Sequence, residues 1–206
     1  MEFFNGEYYH VYNRGVEKRR VFMNNKNFSR FLESMQEFND IKPVGSLYQK
    51  SFLNNKNYSK EQSLVSIISY CLNPNHYHLL LRQEVDGGVS EFMKRLGGGY
   101  TKYFNEQHDR SGALFQGKFK AKEVLSNAQL LYVNVYVEFN FMVHSLRRPT
   151  SKWVSSQDEW LENGKGFMGY KLCDKSIIFD QFKNNQQYLD FANNALKSMI
   201  EKKENT

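Results

Sequence analysis

The segment Asn75-His76-Tyr77-His78-Leu79-Leu80-Leu81 sets two histidines one residue apart at the start of an apolar run. In a β-strand successive side chains point to opposite faces, so His76 and His78 share a face, with Cβ atoms roughly 7 Å apart. Two imidazoles at that separation can converge on one cation while Tyr77 packs into a core behind them. Partly buried sheet histidines satisfied by neighbours have the same spacing, so the pair alone leaves both roles open.

The flanking sequence predicts an antiparallel hairpin and a helix that covers it. Apolar runs at 63–72 and 76–83 are separated by the turn-forming triplet Asn73-Pro74-Asn75. A Tyr- and Val-rich segment, 7–14, predicts a further strand that ends at Gly15. A helix after Asn25 is indicated by apolar residues at offsets of three and four, namely Phe28, Phe31, Leu32, Met35 and Phe38.

A second helix is predicted from Val89 to about His108, with Gly97-Gly98-Gly99 inside it. That triplet does not match a phosphate-binding glycine motif, so it indicates a kink or close helix packing. The segment 112–124 then predicts a strand with three lysines on one face, Lys118, Lys120 and Lys122. Such a basic stripe suits nucleic acid, and equally suits a solvated edge strand that discourages aggregation.

The segment from Asn127 to His144 has two periodicities. Val133, Val135 and Val137 alternate as in a strand, whereas a helix would put Tyr136 and Asn140 on one face, about 6 Å apart at Cβ. On a strand that separation would be roughly 13 Å. Periodicity alone does not decide between the two. A last helix is predicted at about 181–202.

Composition points to a polyanionic partner inside the cell. The 206 residues carry a net charge of +6, and 13 Tyr and 17 Phe supply flat faces on which unpaired bases could stack. Two distant cysteines favour neither a disulfide framework nor a CxxC site, which fits a reducing cytoplasm. We expect no membrane span, because the longest apolar run, 64–72, is far shorter than the ~20 residues needed.

Five short segments in a fixed order resemble the single-tyrosine HUH transposases, especially the REP-associated tyrosine transposase branch. The resemblance covers roughly residues 7 to 145. The segments are Tyr9-His10-Val11-Tyr12-Asn13-Arg14-Gly15, Asn73-Pro74-Asn75-His76-Tyr77-His78-Leu79-Leu80, Tyr100-Thr101-Lys102-Tyr103-Phe104-Asn105, Gly112-Ala113-Leu114-Phe115-Gln116-Gly117-Lys118-Phe119 and Tyr136-Val137-Glu138-Phe139-Asn140.

The resemblance implies an α+β fold with an RRM-like central antiparallel sheet flanked by helices, and a catalytic domain over 1–148. It favours the helix for 127–144. The more polar sequence that follows, 149–206, ends in the last predicted helix, and we expect it to form a C-terminal accessory extension packed on the same domain. The implied activity is metal-dependent nicking and joining of single-stranded or hairpin DNA by a homodimer.

Residue by residue, the resemblance implies that Tyr136 is the nucleophile and that His76, His78 and Asn140 hold Mg²⁺ or Mn²⁺. Phe141 stands where relatives commonly have proline, so Asn140 has a capping role as an alternative. Cations and polar groups near such a site would follow a DNA backbone, and the candidates are Asn13, Arg14, Lys118, Lys120 and Lys122.

The implied chemistry agrees with elementary reactivity. A phenol with a pKa of about 10 is a poor nucleophile at neutral pH, and a cation that neutralises the phosphate oxygens compensates for this. Covalent capture by tyrosine would conserve the phosphodiester bond energy for rejoining. Two alternatives remain: a catalytically silent nucleic-acid-binding regulator on the same fold, and a hydrolase that uses water activated by the histidine-bound metal.

Overall fold

The computed structural model describes residues 1–42, 45, 62–143, 153–160 and 164–204. Its sheet has the order β4-β1-β3-β2-β5, and every neighbouring pair is antiparallel. The strands are β1 (Tyr8–Arg14), β2 (Val65–Asn73), β3 (His76–Gln83), β4 (Lys120–Val124) and β5 (Val154–Ser155). The helices are α1 (Asn25–Glu37), α2 (Gly88–Gln107), α3 (Asn127–Glu138), the single turn α4 (Asn140–Val143), α5 (Ser176–Phe179) and α6 (Asn185–Glu204).

One face of the sheet forms the main core with α1 and α2. Tyr77, Leu79 and Leu81 alternate along β3 onto this face and are almost completely buried. The apolar stripe of α1 lies against them, and the ring centroids of Phe31 and Tyr77 are 5.2 Å apart. The predicted hairpin, the alternation in β3 and the first helix are therefore confirmed.

The other face packs against α3, α4 and α6. Ile68, Cys71 and Leu80 project from β2 and β3 into this second apolar cluster, where they meet Val135 and Val137 of α3. Further members of the cluster come from α6, including Tyr188, Ala192 and Leu196. Helices thus cover both faces, as the resemblance implies.

The glycine triplet of α2 does not kink the helix, which continues through Gly97, Gly98 and Gly99, and within the described residues only Gly99 of the three packs closely against a neighbouring element. A Cβ built on Gly99 would lie 2.6 Å from Cε2 of Phe38, the residue that caps α1. The absence of a side chain at Gly99 therefore lets α1 and α2 approach one another.

Two predicted elements differ from the observed ones. The strand expected over 112–124 begins only at Lys120, because Gly117 adopts a left-handed φ of +69° and breaks the extended chain. Lys118 consequently precedes β4 and lies outside the predicted stripe. The helix expected over 127–144 is interrupted at Phe139, whose φ of −106° departs from helical geometry, so Asn140 begins a separate turn.

The C-terminal region joins the sheet and both helical layers. Val154 pairs with Leu72 and Ser155 with Cys71, so β5 extends the sheet beyond β2. Cys173 forms an isolated bridge with Ile67. The expected domain boundary at 148/149, His144 and most of the polar connection over 39–61 lie outside the described residues. Among the helices that the structure describes, none is long and apolar enough to span a membrane.

The helix glycines of α2 provide a test of the fold. A Cβ on Gly88 would lie 2.2 Å from the Leu64 carbonyl oxygen, whereas one on Gly98 meets no described atom outside the helix within 4 Å. We expect Gly88→Ala to lower the free energy of unfolding by about 1–3 kcal/mol through overpacking. Gly98→Ala should raise it by about 1 kcal/mol, since alanine favours the helix. Urea denaturation of both variants measures the difference, and equal stabilities would contradict the packing of α2 against Leu64.

Candidate active site

The face of the sheet that α3 covers gathers aromatic and cationic side chains. The register pairs Tyr12 with both His78 and Lys120, His10 with Lys122, and Arg14 with His76. Because alternate residues share a face, the even-numbered residues of β1 lie beside both histidines of β3. His76 and His78 thus share a face of the sheet with His10 of β1, which the sequence analysis did not single out.

His10 and His78 form a stacked and hydrogen-bonded pair. Nε2 of His10 lies 2.8 Å from Nδ1 of His78, and the ring centroids are 5.1 Å apart. Burial, with a smaller contribution from Lys122, lowers the pKa of His10 to about 4. At neutral pH His10 is therefore an uncharged imidazole, and its contact occupies Nδ1 of His78.

His76 is held in one tautomer by Asn75. The Asn75 amide donates from Nδ2 to the Lys18 carbonyl (3.2 Å) and turns its Oδ1 toward Nδ1 of His76 (2.6 Å). Because an amide oxygen only accepts, the proton of His76 resides on Nδ1, and Nε2 keeps its lone pair. The His76 ring lies edge-on to the His78 ring, with centroids 5.2 Å apart.

Two acceptor atoms meet at the buried Asn73. Nε2 of His76 and Oδ1 of Asn140 lie 3.3 Å apart, and the Asn73 amide donates to both, at 3.1 Å and 2.9 Å. Asn140 is completely buried, and within the described residues its Nδ2 makes no hydrogen bond. A nitrogen and an oxygen that both accept, side by side, form an environment that attracts a positive group.

These donors fit a divalent cation. Imidazole nitrogens that carry no proton, together with an amide oxygen, form a mixed N/O set that Mn²⁺ and, less readily, Mg²⁺ accept. His10 beside His78 and Asn75 beside His76 are polar partners of the kind that orient ligating imidazoles. Among the described residues there is no group of three or more His, Cys, Asp or Glu that could hold a metal. The acceptor that lies beside His76 is the amide oxygen of Asn140.

Tyr136 of α3 lies directly over the histidines. Its ring is edge-on to both His78 and His10, with centroid separations of 5.6 Å in each case. Burial raises the pKa of the Tyr136 phenol, and the Asn140 amide opposes this by favouring the phenolate. The structure thus brings Tyr136, His76, His78 and Asn140 together within one chain.

The predicted DNA contacts separate into two groups. Arg14, Lys120 and Lys122 are exposed on the same sheet face as the histidines, and Lys118 is exposed in the loop before β4. Asn13 lies on the opposite face and is buried. Its Nδ2 donates to the Gly117 carbonyl (3.2 Å) and its Oδ1 accepts from the Arg14 N–H (2.8 Å), so the side chain holds a loop.

Sequence reasoning missed His10, Tyr12 and Asn73. His10 shares the alternating phase of Tyr12 and Arg14, but only the pairing of β1 with β3 shows that this phase meets His78. The Tyr12 ring stacks on His10 and on His78, with ring centroids 5.2 Å and 5.6 Å apart. In the sequence, Asn73 resembles an ordinary turn residue. Its role in the site depends on its hydrogen bond to Asn140, 67 residues later.

Comparison with known families agrees with the resemblance seen in the sequence. The family model described as "Transposase IS200 like" matches residues 5–140, more than half of the chain. The chain therefore belongs to the IS200-like transposase family, a family of DNA-processing enzymes. No curated protein sequence matches it significantly.

A solved structure of a REP-associated tyrosine transposase bound to a REP hairpin has a similar fold. The TM-score is 0.50 at 11% sequence identity, and the alignment covers 73% of this chain and 79% of that one. At this identity the likeness concerns the fold alone, and it confirms the predicted α+β architecture with an antiparallel sheet.

The amide of Asn73 offers a test of this geometry. Asn73→Ala removes the donor that serves both His76 Nε2 and Asn140 Oδ1, so the half-buried His76 nitrogen and the fully buried Asn140 oxygen lose this hydrogen bond. We expect a loss of about 1–3 kcal/mol in the free energy of unfolding. Asn194→Ala, which removes the same side chain from the exposed face of α6, should change stability by less than about 0.5 kcal/mol. Similar unfolding midpoints for the two variants in urea would argue against the Asn73 contacts.

Proposed function

We propose that this protein is a metal-dependent transposase that nicks and rejoins single-stranded, hairpin-containing DNA through a covalent 5′-phosphotyrosine at Tyr136. One observation carries the proposal: the Tyr136 ring lies 5.6 Å from the His78 ring in the same chain. A nucleophile and a ligand-competent histidine so close to one another can act on the same phosphate. Family membership supports the reaction class.

We assign the cation to His76, His78 and Asn140, the first two through their Nε2 atoms and the last through Oδ1. The Asn73 amide, which donates to two of these atoms, would release them when the cation binds. When bound, Mg²⁺ or Mn²⁺ would neutralise the non-bridging oxygens of the scissile phosphate and make its phosphorus more electrophilic. Nε2 of His78 can bind the cation only if the proton of that ring lies on Nδ1. Nδ1 of His78 then donates to Nε2 of His10. Neutral His10 meets that requirement.

The nicking step is assigned to Tyr136. Its phenolic oxygen attacks phosphorus, the bond from phosphorus to the 3′ oxygen breaks, and the DNA 5′ end stays on the tyrosine. The phenolic proton passes to solvent and the leaving 3′ oxygen takes up a proton, so no charge is gained. Burial raises the pKa of the phenol and so keeps it neutral before substrate binds. Rejoining is the reverse attack by a 3′ hydroxyl.

The substrate is proposed to approach along the cationic edge of the sheet. Lys120 and Lys122 on β4 and Arg14 at the end of β1 are exposed on the face that carries the histidines. Their charges can follow a phosphate backbone toward Tyr136. The related structure contains a REP hairpin, which supports hairpin DNA as the substrate class for this chain too.

Homodimerisation, which the resemblance implies, stays a prediction. The proposed nucleophile and ligands all belong to one chain, so a partner is not needed to complete this site. A dimer would instead bring two complete sites to two DNA ends.

The covalent step is tested with labelled hairpin oligonucleotides and Mn²⁺. Wild-type protein should give an adduct that resists SDS, and Tyr136→Phe should give none, because the attacking oxygen is gone. Tyr132→Phe, one helical turn earlier on α3, is the matched control and should retain the adduct.

Other outcomes of this assay identify the alternatives. Hairpin binding without an adduct in wild-type protein would favour the silent regulator. Free 5′-phosphate ends without an adduct would favour the hydrolase, and an adduct that persists in Tyr136→Phe would move the nucleophile elsewhere.

The metal assignment has a separate test in calorimetric titration of the DNA-free protein with Mn²⁺. His76→Ala should abolish specific binding because it removes a ligand. His10→Ala should weaken binding by about 10- to 100-fold, since it frees the orientation and tautomer of His78, and His10→Gln should recover part of the loss. His108→Ala, at the end of α2, is the control. Unchanged Mn²⁺ affinity in His76→Ala would refute the assignment.

A further inference from the structure

The carboxylate of Glu138 is the most completely enclosed charge in the described part of the chain that the proposed chemistry does not use. Glu138 ends α3, two residues after Tyr136, and has no exposed surface. Its Oε1 accepts from Lys175 Nζ, from Ser156 Oγ at 3.0 Å and from Trp160 Nε1 at 3.2 Å. Its Oε2 accepts from the Tyr188 hydroxyl at 2.6 Å.

All four of these partners come from beyond the family match, which ends at residue 140. They lie on three parts of the C-terminal extension: Ser156 and Trp160 on one short 3-10 segment, Lys175 directly before α5, and Tyr188 on α6. Ser155 adds a fifth contact by donating from Oγ to the Glu138 backbone carbonyl, at 2.8 Å. The extension thus converges on a single residue of the helix that carries the proposed nucleophile.

Glu138 and Tyr136 project from opposite sides of α3. Residues two apart on a helix are separated by about 200° around its axis. Tyr136 faces the histidines of the sheet, and Glu138 faces the extension. The rotation of α3 about its axis, which sets where the phenol lies, is therefore fixed from behind by directional hydrogen bonds to a buried charge.

Apolar packing alone would hold α3 less specifically. A buried ion pair is weak evidence for stability, because well-packed apolar residues often stabilise a protein equally well. Such a pair can instead restrict the packed helices to one arrangement. Hydrogen bonds depend on direction as well as distance, so a carboxylate with donors on both oxygens restricts the rotation of α3 more narrowly than apolar contacts do. Glu138 is the last residue of α3, next to the break at Phe139 that separates α3 from α4.

We propose that the C-terminal extension is a clamp that positions Tyr136 over the histidines of its own chain, with Glu138 as the positioning residue and Lys175 as its counter-ion. The proposal rests on the proposed role of Tyr136 as nucleophile. Glu138 itself touches no reacting atom.

The charge states within the clamp agree with this role. Burial would lower the pKa of the Lys175 ammonium, but the Glu138 carboxylate outweighs this, together with smaller contributions from Cys173 and Glu159, so the pKa is raised. Burial and the same carboxylate raise the pKa of Tyr188. Lys175 is thus a cation and Tyr188 a neutral donor at physiological pH.

The experiment compares Glu138→Gln, Lys175→Met and the double variant in two assays, hairpin affinity and the single-turnover rate of adduct formation. Each single variant leaves one buried charge unpaired, whereas the double variant is neutral and keeps similar volume. We expect each single variant to slow adduct formation on the order of 10- to 100-fold, because a small displacement of a reacting group has that effect. Hairpin affinity should stay within about twofold, and the double variant should recover most of the rate.

Matched controls separate positioning from folding. Glu91→Gln breaks the ion pair with Arg95 on α2, away from Tyr136, and should leave both assays unchanged. Tyr188→Phe removes one donor and retains the ion pair, so it tests the clamp if Glu138→Gln does not fold. It should slow adduct formation less than Glu138→Gln does, with unchanged hairpin affinity.

A readout independent of activity keeps the clamp distinct from the proposed chemistry. With 3-fluorotyrosine incorporated at position 136, the ¹⁹F resonance should be single and narrow in the wild-type background and shifted or broadened in the Glu138→Gln background. If wild-type protein forms no adduct, the proposed function fails while this resonance still tests the clamp. An unchanged resonance in folded Glu138→Gln, or a parallel loss of rate and hairpin affinity, would overturn the proposal.

Discussion

The register between β1 and β3 determines which side chains of these two strands meet in the candidate site. It pairs Tyr12 with His78 and Arg14 with His76. A slip of one residue would turn His10 and Tyr12 into the main core and bring Tyr9 and Val11 to the face that carries the histidines. Tyr9 and Val11 are fully buried, and burial of such a side chain is worth about 1.5–3 kcal/mol. Apolar packing on one face of the sheet thus fixes the positions of the site residues on the other face.

The two faces of the sheet have different roles in the protein. On one face, α1 and α2 enclose an aromatic core in which Phe22, Phe31 and Tyr100 lie within 5.0–5.4 Å of one another. On the other face, the helix that carries Tyr136 is enclosed between the sheet and the C-terminal extension. A helix buried on two sides tolerates the polar residues Asn134 and Glu138 because each is hydrogen-bonded to Tyr188.

The sequence predicts this fold where one local signal dominates. The alternation of side chains along β3 predicts which residues face the core. The spacing of the apolar residues of α1 predicts its buried stripe. Local signals failed where distant contacts decide. The valines of α3 favour a strand by propensity, but packing between the sheet and α6 makes the segment helical.

Part of the candidate site was predictable for the same reason. His76 and His78 follow from spacing on one strand, whereas Tyr136 and Asn140 came from the resemblance to a family. His10 is 68 residues from His78 in the sequence, and no periodicity links the two. The anchoring of Glu138 depends on three separate parts of the extension, so only tertiary structure shows it. The alternation of Lys118, Lys120 and Lys122 predicts that all three lie on one strand, but the left-handed Gly117 leaves Lys118 before the strand.

The surroundings of the two cysteines have a practical consequence. Cys71 lies in the apolar cluster beneath α4, where burial raises the pKa of its thiol to about 12. Cys173 is half-buried, and desolvation is the main cause that raises the pKa of its thiol as well. Since the thiolate is the reactive form, neither residue should react readily with maleimides at neutral pH. A cysteine introduced at an exposed position such as Leu125 could therefore carry a fluorophore selectively, without first removing the native thiols.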